Sequence, residues 1–357
     1  MEAVNGLLDR IRRHRGLFAI ACLAVVALIA VGCGDDDDDD GGGGDSGSPE
    51  SVEVTFPFQD SIVWAGYEIA RDPGGIYETD YNLKPETVAT EGGSFVVQQL
   101  IAGQIDYGIT GTPETMIAAA QGHELVGIAT IDSDIFTVVT TPDSGVSSIE
   151  DLEGQSLGVT DLGGGEIPLV NAVLDDAGLT PDENVELKVI GPGGPASAKA
   201  IQDGEVQAYA AAINDLAGIE ATGVEFEPIL DEKFQNLPND QMVVRKELLE
   251  DEESLQTVLD VTKGMFEGTV FGQENPEEGL AIICELVPAD CADMDVAQGF
   301  YDATLEGSIE QAKSGGAPDY DKLTTVRDAI AAADNPAAAD INLEEVFPDT
   351  YSEDLTP

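Results

Sequence analysis

The chain has 357 residues and a formal net charge of −55, from 70 Asp and Glu against 15 Lys and Arg. So few cations exclude a phosphate-neutralising nucleic-acid binder and a basic membrane-surface helix, and four cysteines exclude a disulfide-dense scaffold. Hydrophobics at 42% argue for a packed core, two histidines leave little room for a His-based metal site or triad, and the length suits two domains.

The first 51 residues read as processing and tether, not fold. Arg10, Arg12, Arg13 and Arg15 precede an apolar run over 17–32, then Cys33 and six aspartates at 35–40. A basic segment, an apolar segment and small residues before a break describe a signal peptide over 1–32. An uncleaved N-terminal anchor is the alternative. The ending Ala30-Val31-Gly32-Cys33 resembles a bacterial lipobox, with Ala30 where Leu is usual. That resemblance implies lipidation of Cys33 and export. Residues 33–51 form an acidic Gly/Ser tether whose like charges repel and extend it.

From residue 52 the pattern alternates strand and helix. Alternating apolar residues predict a strand at 52–56, then a helix over 61–71 with Ile62, Trp64, Tyr67 and Ile69 on one face. A strand at 88–90, a helix at 95–102 capped by Ser94, a strand at 105–109 and a helix opening at Thr112-Pro113-Glu114 follow. Strands at 125–131 and 135–140 end the first unit. A second unit has strands at 155–160, 185–189, 206–211 and 226–230 and helices at 167–177, 196–202 and 214–220. A strand at 241–245 returns to the first unit. Helices at 248–271, 276–286, 295–312 and 320–333 complete the chain. Strands alternating with helices predict mainly parallel sheets. Crossings between units are placed near 137–141 and 239–244. The first lobe is then 52–140 plus 241–357, and the second is 141–240.

Several phrases resemble one family. These are Gln98-Gln-Leu-Ile-Ala-Gly-Gln-Ile-Asp106-Tyr-Gly, Ile149-Glu-Asp-Leu-Glu-Gly-Gln-Ser-Leu-Gly158-Val, Ala200-Ile-Gln-Asp-Gly-Glu-Val-Gln-Ala208 and Ile341-Asn-Leu-Glu-Glu-Val-Phe347. In this order, over 52–357, the chain resembles the nitrate/sulfonate/taurine and thiamine-precursor (NMT1/THI5-like, SsuA-like) binding proteins of ABC importers. The resemblance implies an α/β, type II periplasmic-binding fold with two doubly wound lobes, a ligand cleft and a helical C-terminal region. It implies a sulfonate, taurine, nitrate or pyrimidine-precursor ligand, partnership with a permease and its ATPase, and no cofactor. The chain is expected to be a monomer, tied to the membrane through lipid on Cys33 at the outer face of the cytoplasmic membrane.

In open α/β sheets, ligands bind beyond the carboxyl ends of strands, where helix N-termini offer unpaired N–H groups. Five such junctions are predicted. They are Phe58-Gln59-Asp60-Ser61 with Trp64, Gly93-Ser94, Gly111-Thr112, Gly163-Gly164-Gly165-Glu166, and Gly193-Gly194. Asn214, after the strand at 206–211, is a further candidate contact. Trp64 is equally a core residue by its pattern, and Glu166 equally a partner of the helix dipole. None of these loops carries Lys or Arg, and Asp60, Asp161 and Glu166 are near. A desolvated anion beside carboxylates is costly, so a neutral, zwitterionic or cationic organic ligand is expected, an amino-sulfonate or aminopyrimidine among them.

Cys284 and Cys291, seven apart, are expected to bridge in an exported chain, with two reduced, buried cysteines as the alternative. They lack the further ligands of a zinc site. Enzymatic members of the resembled family, which make a pyrimidine, use a Cys cluster that is missing here. No enzyme and no metal site are therefore expected. A ligand-free surface or scaffolding lipoprotein is the remaining alternative.

Overall fold

The computed structural model of the protein describes residues 48–357 apart from 134–135, 163–165, 221 and 333–334, with no side chain described at 214 and 217. The predicted signal segment, Cys33 and most of the tether lie outside the described residues.

The strands make two layers. In the first, β1 (Glu50–Phe56) runs parallel to β2 (Leu83–Ala89). Next to them, β10 (Asp240–Arg245) lies antiparallel between β3 (Tyr107–Gly111) and β4 (Leu125–Thr130). Gly108 of β3 packs on β1: a Cβ there would stand 3.1 Å from the Thr55 carbonyl oxygen. The second layer is a five-stranded sheet of order β7-β6-β8-β5-β9. It contains β5 (Phe136–Thr140), β6 (Ser156–Val159), β7 (Glu186–Val189), β8 (Ala208–Ala212) and β9 (Glu227–Pro228).

The expectation of mainly parallel sheets needs correction. β6 runs parallel to both β7 and β8, but β5 is antiparallel to β8 and β9, as β10 is to β3 and β4. Both antiparallel strands follow a direct passage between layers. With no helical crossover, nothing forces the parallel direction. The first passage also lies earlier than placed from sequence. Since β5 pairs within the second sheet, the chain has changed layers before Phe136.

Helices cover the layers. They are α1 (Ala65–Ala70), α2 (Ile76–Asp80), α3 (Gly93–Ile101), α4 (Thr112–Ala120), α5 (Ile167–Asp176), α6 (Pro195–Gln202) and α7 (Ile213–Glu220). The C-terminal part adds α8 (Glu252–Glu274), α9 (Pro276–Leu286), α10 (Met294–Lys313) and α11 (Tyr320–Ala332). The predicted helix over 61–71 is a 3-10 turn, Ile62–Trp64, followed by α1. Ser94 is not a cap. Gly92 holds that place with φ +129, a conformation a side chain opposes, and Ser94 is exposed in the first turn.

Core packing explains the C-terminal helices. Asp251 caps α8, accepting from the Glu253 and Ser254 N–H groups at 3.2 and 3.3 Å. α8 then lays Val258, Val261, Met265 and Phe266 against Phe56, Tyr67, Tyr77 and Val244. Gly66 of α1 faces Gly268 of α8 so closely that a Cβ on Gly268 would overlap the Gly66 carbonyl oxygen. Leu323 and Val326 of α11, with Phe347, share a cluster with Val138, Leu157 and Ala210 of the second sheet. The C-terminal helices thus pack on both layers. Cys284 and Cys291 are bridged, their Cα atoms 5.5 Å apart, closing the turn after α9.

Candidate functional site

At the end of β1, Phe58 is 39% exposed and stacks at 4.8 Å on Trp64, which is 3% exposed and backed by Phe56 at 4.9 Å. Trp64 therefore belongs to the core, yet its indole Nε1 is buried without a partner among the described residues. The Ile62 N–H and the Ser61 hydroxyl both donate to Asp290 Oδ2, at 3.0 and 2.8 Å. Asp60 accepts from Arg71 at 2.7 Å, and Arg71 also holds Glu68 at 2.6 Å. Burial pushes the Glu68 carboxyl up to about 7 against the pull of Arg71. Gln59 is exposed.

At the starts of α3 and α4, one carboxylate lies over both turns. Glu114 Oε1 would be 3.3 Å from a Cβ on Gly93, and Oε2 would overlap one on Gly111. Glutamate at the third position of a helix folds back toward the cap backbone in this way. Thr112 is fully buried. Its N–H donates to the Asn239 carbonyl at 2.7 Å, and its hydroxyl accepts from Gln241 Nε2 at 2.8 Å. Phe95, beside Ser94, is 42% exposed.

In the second sheet, Gly163, Gly164 and Gly165 lie outside the described residues, as does the Asn214 side chain. Glu166 is 1% exposed, and its Oε1 accepts the Thr160 N–H at 2.7 Å and the Thr160 hydroxyl at 2.6 Å. The Gly193 N–H donates to Asp215 Oδ1 at 2.9 Å. A Cβ on Gly193 would collide with the Asp215 backbone, which is why glycine stands there. The Tyr209 hydroxyl donates to the Gly191 carbonyl at 2.8 Å beneath the same turn, of which Gly194 caps α6. Burial raises the Asp215 carboxyl above its ordinary value; the Gly193 hydrogen bond opposes this, and the charge of Glu166 adds to it. Leu162, between β6 and Glu166, is 61% exposed.

A pattern joins these turns. At three strand ends a backbone N–H that could hold an anion already donates to the chain's own carboxylate: Ile62 to Asp290, Thr160 to Glu166, and Gly193 to Asp215. Sequence reasoning found Asp60 and Glu166 but missed the roles of Glu114 and Asp290. Glu114 reads as a dipole partner of its own helix, and Asp290 reaches Ser61 from 229 residues away with no local signal.

Two grooves are formed by the described residues. One of about 510 Å³ is lined by Glu50, Tyr81, Asn82 and Glu252; another of about 380 Å³ lies beside Asp60, Arg71, Tyr77 and Leu286. Neither includes the glycine turns, while the second shares Asp60 and Arg71 with the cluster after β1. Among the described residues, no group of three or more His, Cys, Asp or Glu is set to hold a metal ion. No helix there is long and apolar enough to cross a membrane.

The family profile described as NMT1/THI5 like matches residues 74–279, more than half of the chain. A search of curated proteins finds no match. Among solved structures, the chain is similar to the periplasmic aliphatic sulphonate-binding protein SsuA of Escherichia coli. There the TM-score is 0.53 at 20% identity, over 72% of this chain and 79% of that one. It is also similar to the alkanesulfonate-binding protein SsuA of Xanthomonas axonopodis pv. citri, with a TM-score of 0.52 at 14% identity over 87% and 99%. The periplasmic nitrate-binding protein NrtA of Synechocystis PCC 6803 gives 0.50 at 13% identity over 87% and 92%. The chain has the periplasmic-binding-protein fold and belongs to the NMT1/THI5-like family.

Proposed function

We propose that this protein is the extracytoplasmic solute-binding component of an ABC importer. It captures a small organic molecule between two lobes and delivers it to a permease driven by an ATPase. The observation that carries this reading is the pair of strand layers joined by two adjacent passages. Asn239 N–H donates to the Asp132 carbonyl at 3.0 Å, and Ile131 N–H to the Asp240 carbonyl at 2.8 Å. Two strands side by side make a hinge about which two lobes close on a ligand. The sulfonate- and nitrate-binding proteins that share the fold support the class of function.

The lobes are residues 52–133 plus 240–357, and 136–239, with the strand-end turns lining the cleft. Phe58, Phe95 and Leu162 offer an apolar wall from both sides. Ligand bridging both lobes shifts the population to the closed form, which docks on the permease. Lipid on Cys33 and the acidic tether hold the receptor near it and raise its effective concentration there. The protein works as a monomer and binds without chemistry.

A thermal-shift screen of the full-length protein against sulfonates, nitrate, pyrimidines, amines and aromatic acids tests the reading, since a ligand of the native state alone raises the melting temperature. A concentration-dependent rise with one class supports it. No rise with any class, and no compaction in small-angle scattering, counts for a scaffolding lipoprotein. Cys33→Ser should release the protein from membranes; continued membrane attachment would remove the lipid from the account.

A further inference from the structure

We propose that Asp290, held in the loop that the Cys284–Cys291 bridge closes, is the positioning residue of the turn after β1, and that opening the bridge loosens that turn. The turn carries Phe58, so its part in ligand capture rests on the receptor reading; its support does not. The chain leaves β1 at Phe56 and turns through 57–61 before the 3-10 turn Ile62–Trp64. At the near end the Phe56 carbonyl accepts from the Thr90 N–H and hydroxyl at 3.0 and 2.9 Å. At the far end Asp290 Oδ2 accepts both the Ser61 hydroxyl at 2.8 Å and the Ile62 N–H at 3.0 Å. The first N–H groups of a helical segment have no partner within it. Ser61, the local cap, reaches only the Val63 N–H, and at 3.5 Å. Asp290 therefore supplies from a distant loop the cap that the local sequence lacks, and a charged acceptor makes the stronger bond.

The bridge fixes where Asp290 stands. It joins Cys284 of α9 to Cys291, the neighbour of Asp290, with Cα atoms 5.5 Å apart. Cys284, Leu286 and Cys291 pack on a small core in which Ile62, Ala65 and Ile69 meet Leu280, Ile283 and Val287. That core is separate from the one that holds Phe56 and Trp64. Carboxylate, bridge and the segment they hold thus form one unit. Between the cysteines, Pro288 and Ala289 are exposed and have little packing to fix them. With the bridge open the loop gains conformational freedom, and Asp290 must lose that freedom again to reach Ser61 and Ile62. Phe58, stacked on Trp64 at 4.8 Å, belongs to the segment so held.

The test is amide hydrogen exchange of the full-length protein, read by mass spectrometry. Asp290→Ala should speed exchange over residues 57–64 by about tenfold or more and leave β6 unchanged. Asp290→Asn keeps an oxygen for the Ile62 N–H and should restore most of the protection. The double variant Cys284→Ser, Cys291→Ser should speed exchange over the same residues with Asp290 still present. If it does not fold, the wild type treated with dithiothreitol, which closes its own disulfide as it reduces the bridge to two thiols, takes its place. Glu285→Gln, exposed on α9, should change nothing. Unchanged exchange over 57–64 in Asp290→Ala, or a rise shared equally by β6, overturns the proposal. Exchange that stays slow with the bridge open overturns the part given to the bridge. Any of taurine, ethanesulfonate, nitrate and phenethylamine that raises the wild-type melting temperature should bind Asp290→Ala severalfold more weakly and Asp290→Asn nearly as well as the wild type. Unchanged affinity in Asp290→Ala overturns the positioning role and leaves the receptor standing. If none of the four binds and scattering shows no compaction, the receptor reading falls, and the exchange pattern still decides the support of the turn.

Discussion

Asp132 sits in the first passage between the sheets, buried at 5% exposure. Its Oδ1 accepts the Asp240 N–H at 2.9 Å and the Asn239 amide at 3.1 Å. Loss of water around it outweighs both hydrogen bonds and pushes its carboxyl from 3.8 up to about 6. The native state therefore binds a proton more tightly than the unfolded chain. Its stabilising effect is complete below pH 3.8 and is lost as pH rises through about 6. That displacement corresponds to about 3 kcal/mol. Asp132→Asn removes the titration while leaving an oxygen to accept from Asp240 and Asn239. The two proteins should be unfolded with urea at half-unit intervals from pH 4 to pH 8. The stability of the variant minus that of the wild type should grow by about 2 kcal/mol across the range and level off above pH 7. Carboxylates remote from Asp132 titrate alike in both proteins and cancel in the difference. A difference flat to within about 1 kcal/mol would refute the reasoning, because a buried, ionising Asp132 cannot give it.

Gly268→Ala forces α8 away from the Gly66 carbonyl, and urea denaturation should show a loss of about 1–3 kcal/mol. Cys284→Ser opens the short loop that the disulfide closes, and the same assay should show a loss of about 2–3 kcal/mol. Trp64→Ala leaves a hole beneath Phe58 and should cost about 3–5 kcal/mol. Trp64→Phe keeps most of the packing, so it should melt near the wild type. As the single tryptophan, Trp64 should emit at short wavelength in the native protein and shift to the red on unfolding.

Strand and helix alternation was legible because the apolar residues of β1, β4, α8 and α9 follow one period over enough positions. α2 was not, because five residues cannot display a helical period. Only the end of β2 was read, since Lys84, Pro85 and Glu86 interrupt its pattern. β2 pairs with β1 alone among the described strands, and an edge strand tolerates proline. Strand direction was misread at β5 and β10, because direction depends on the passage between layers and leaves no mark in local composition. At the site, Gly193 was legible as a turn, but the reason for glycine is the Asp215 backbone 22 residues later. The carboxylates that occupy the strand-end donors were hidden among 70 acids. Their roles follow from long-range contacts such as Asp290 on Ser61, not from spacing.

The central claim is capture of a small ligand by closure of two lobes about the passages at Asp132 and Asp240. Small-angle X-ray scattering of the full-length protein, titrated with whichever compound raises its melting temperature, tests this most directly. The account predicts a saturable fall in radius of gyration that ends at one ligand per chain. A compound that binds tightly and leaves the scattering curve unchanged at saturation would contradict it.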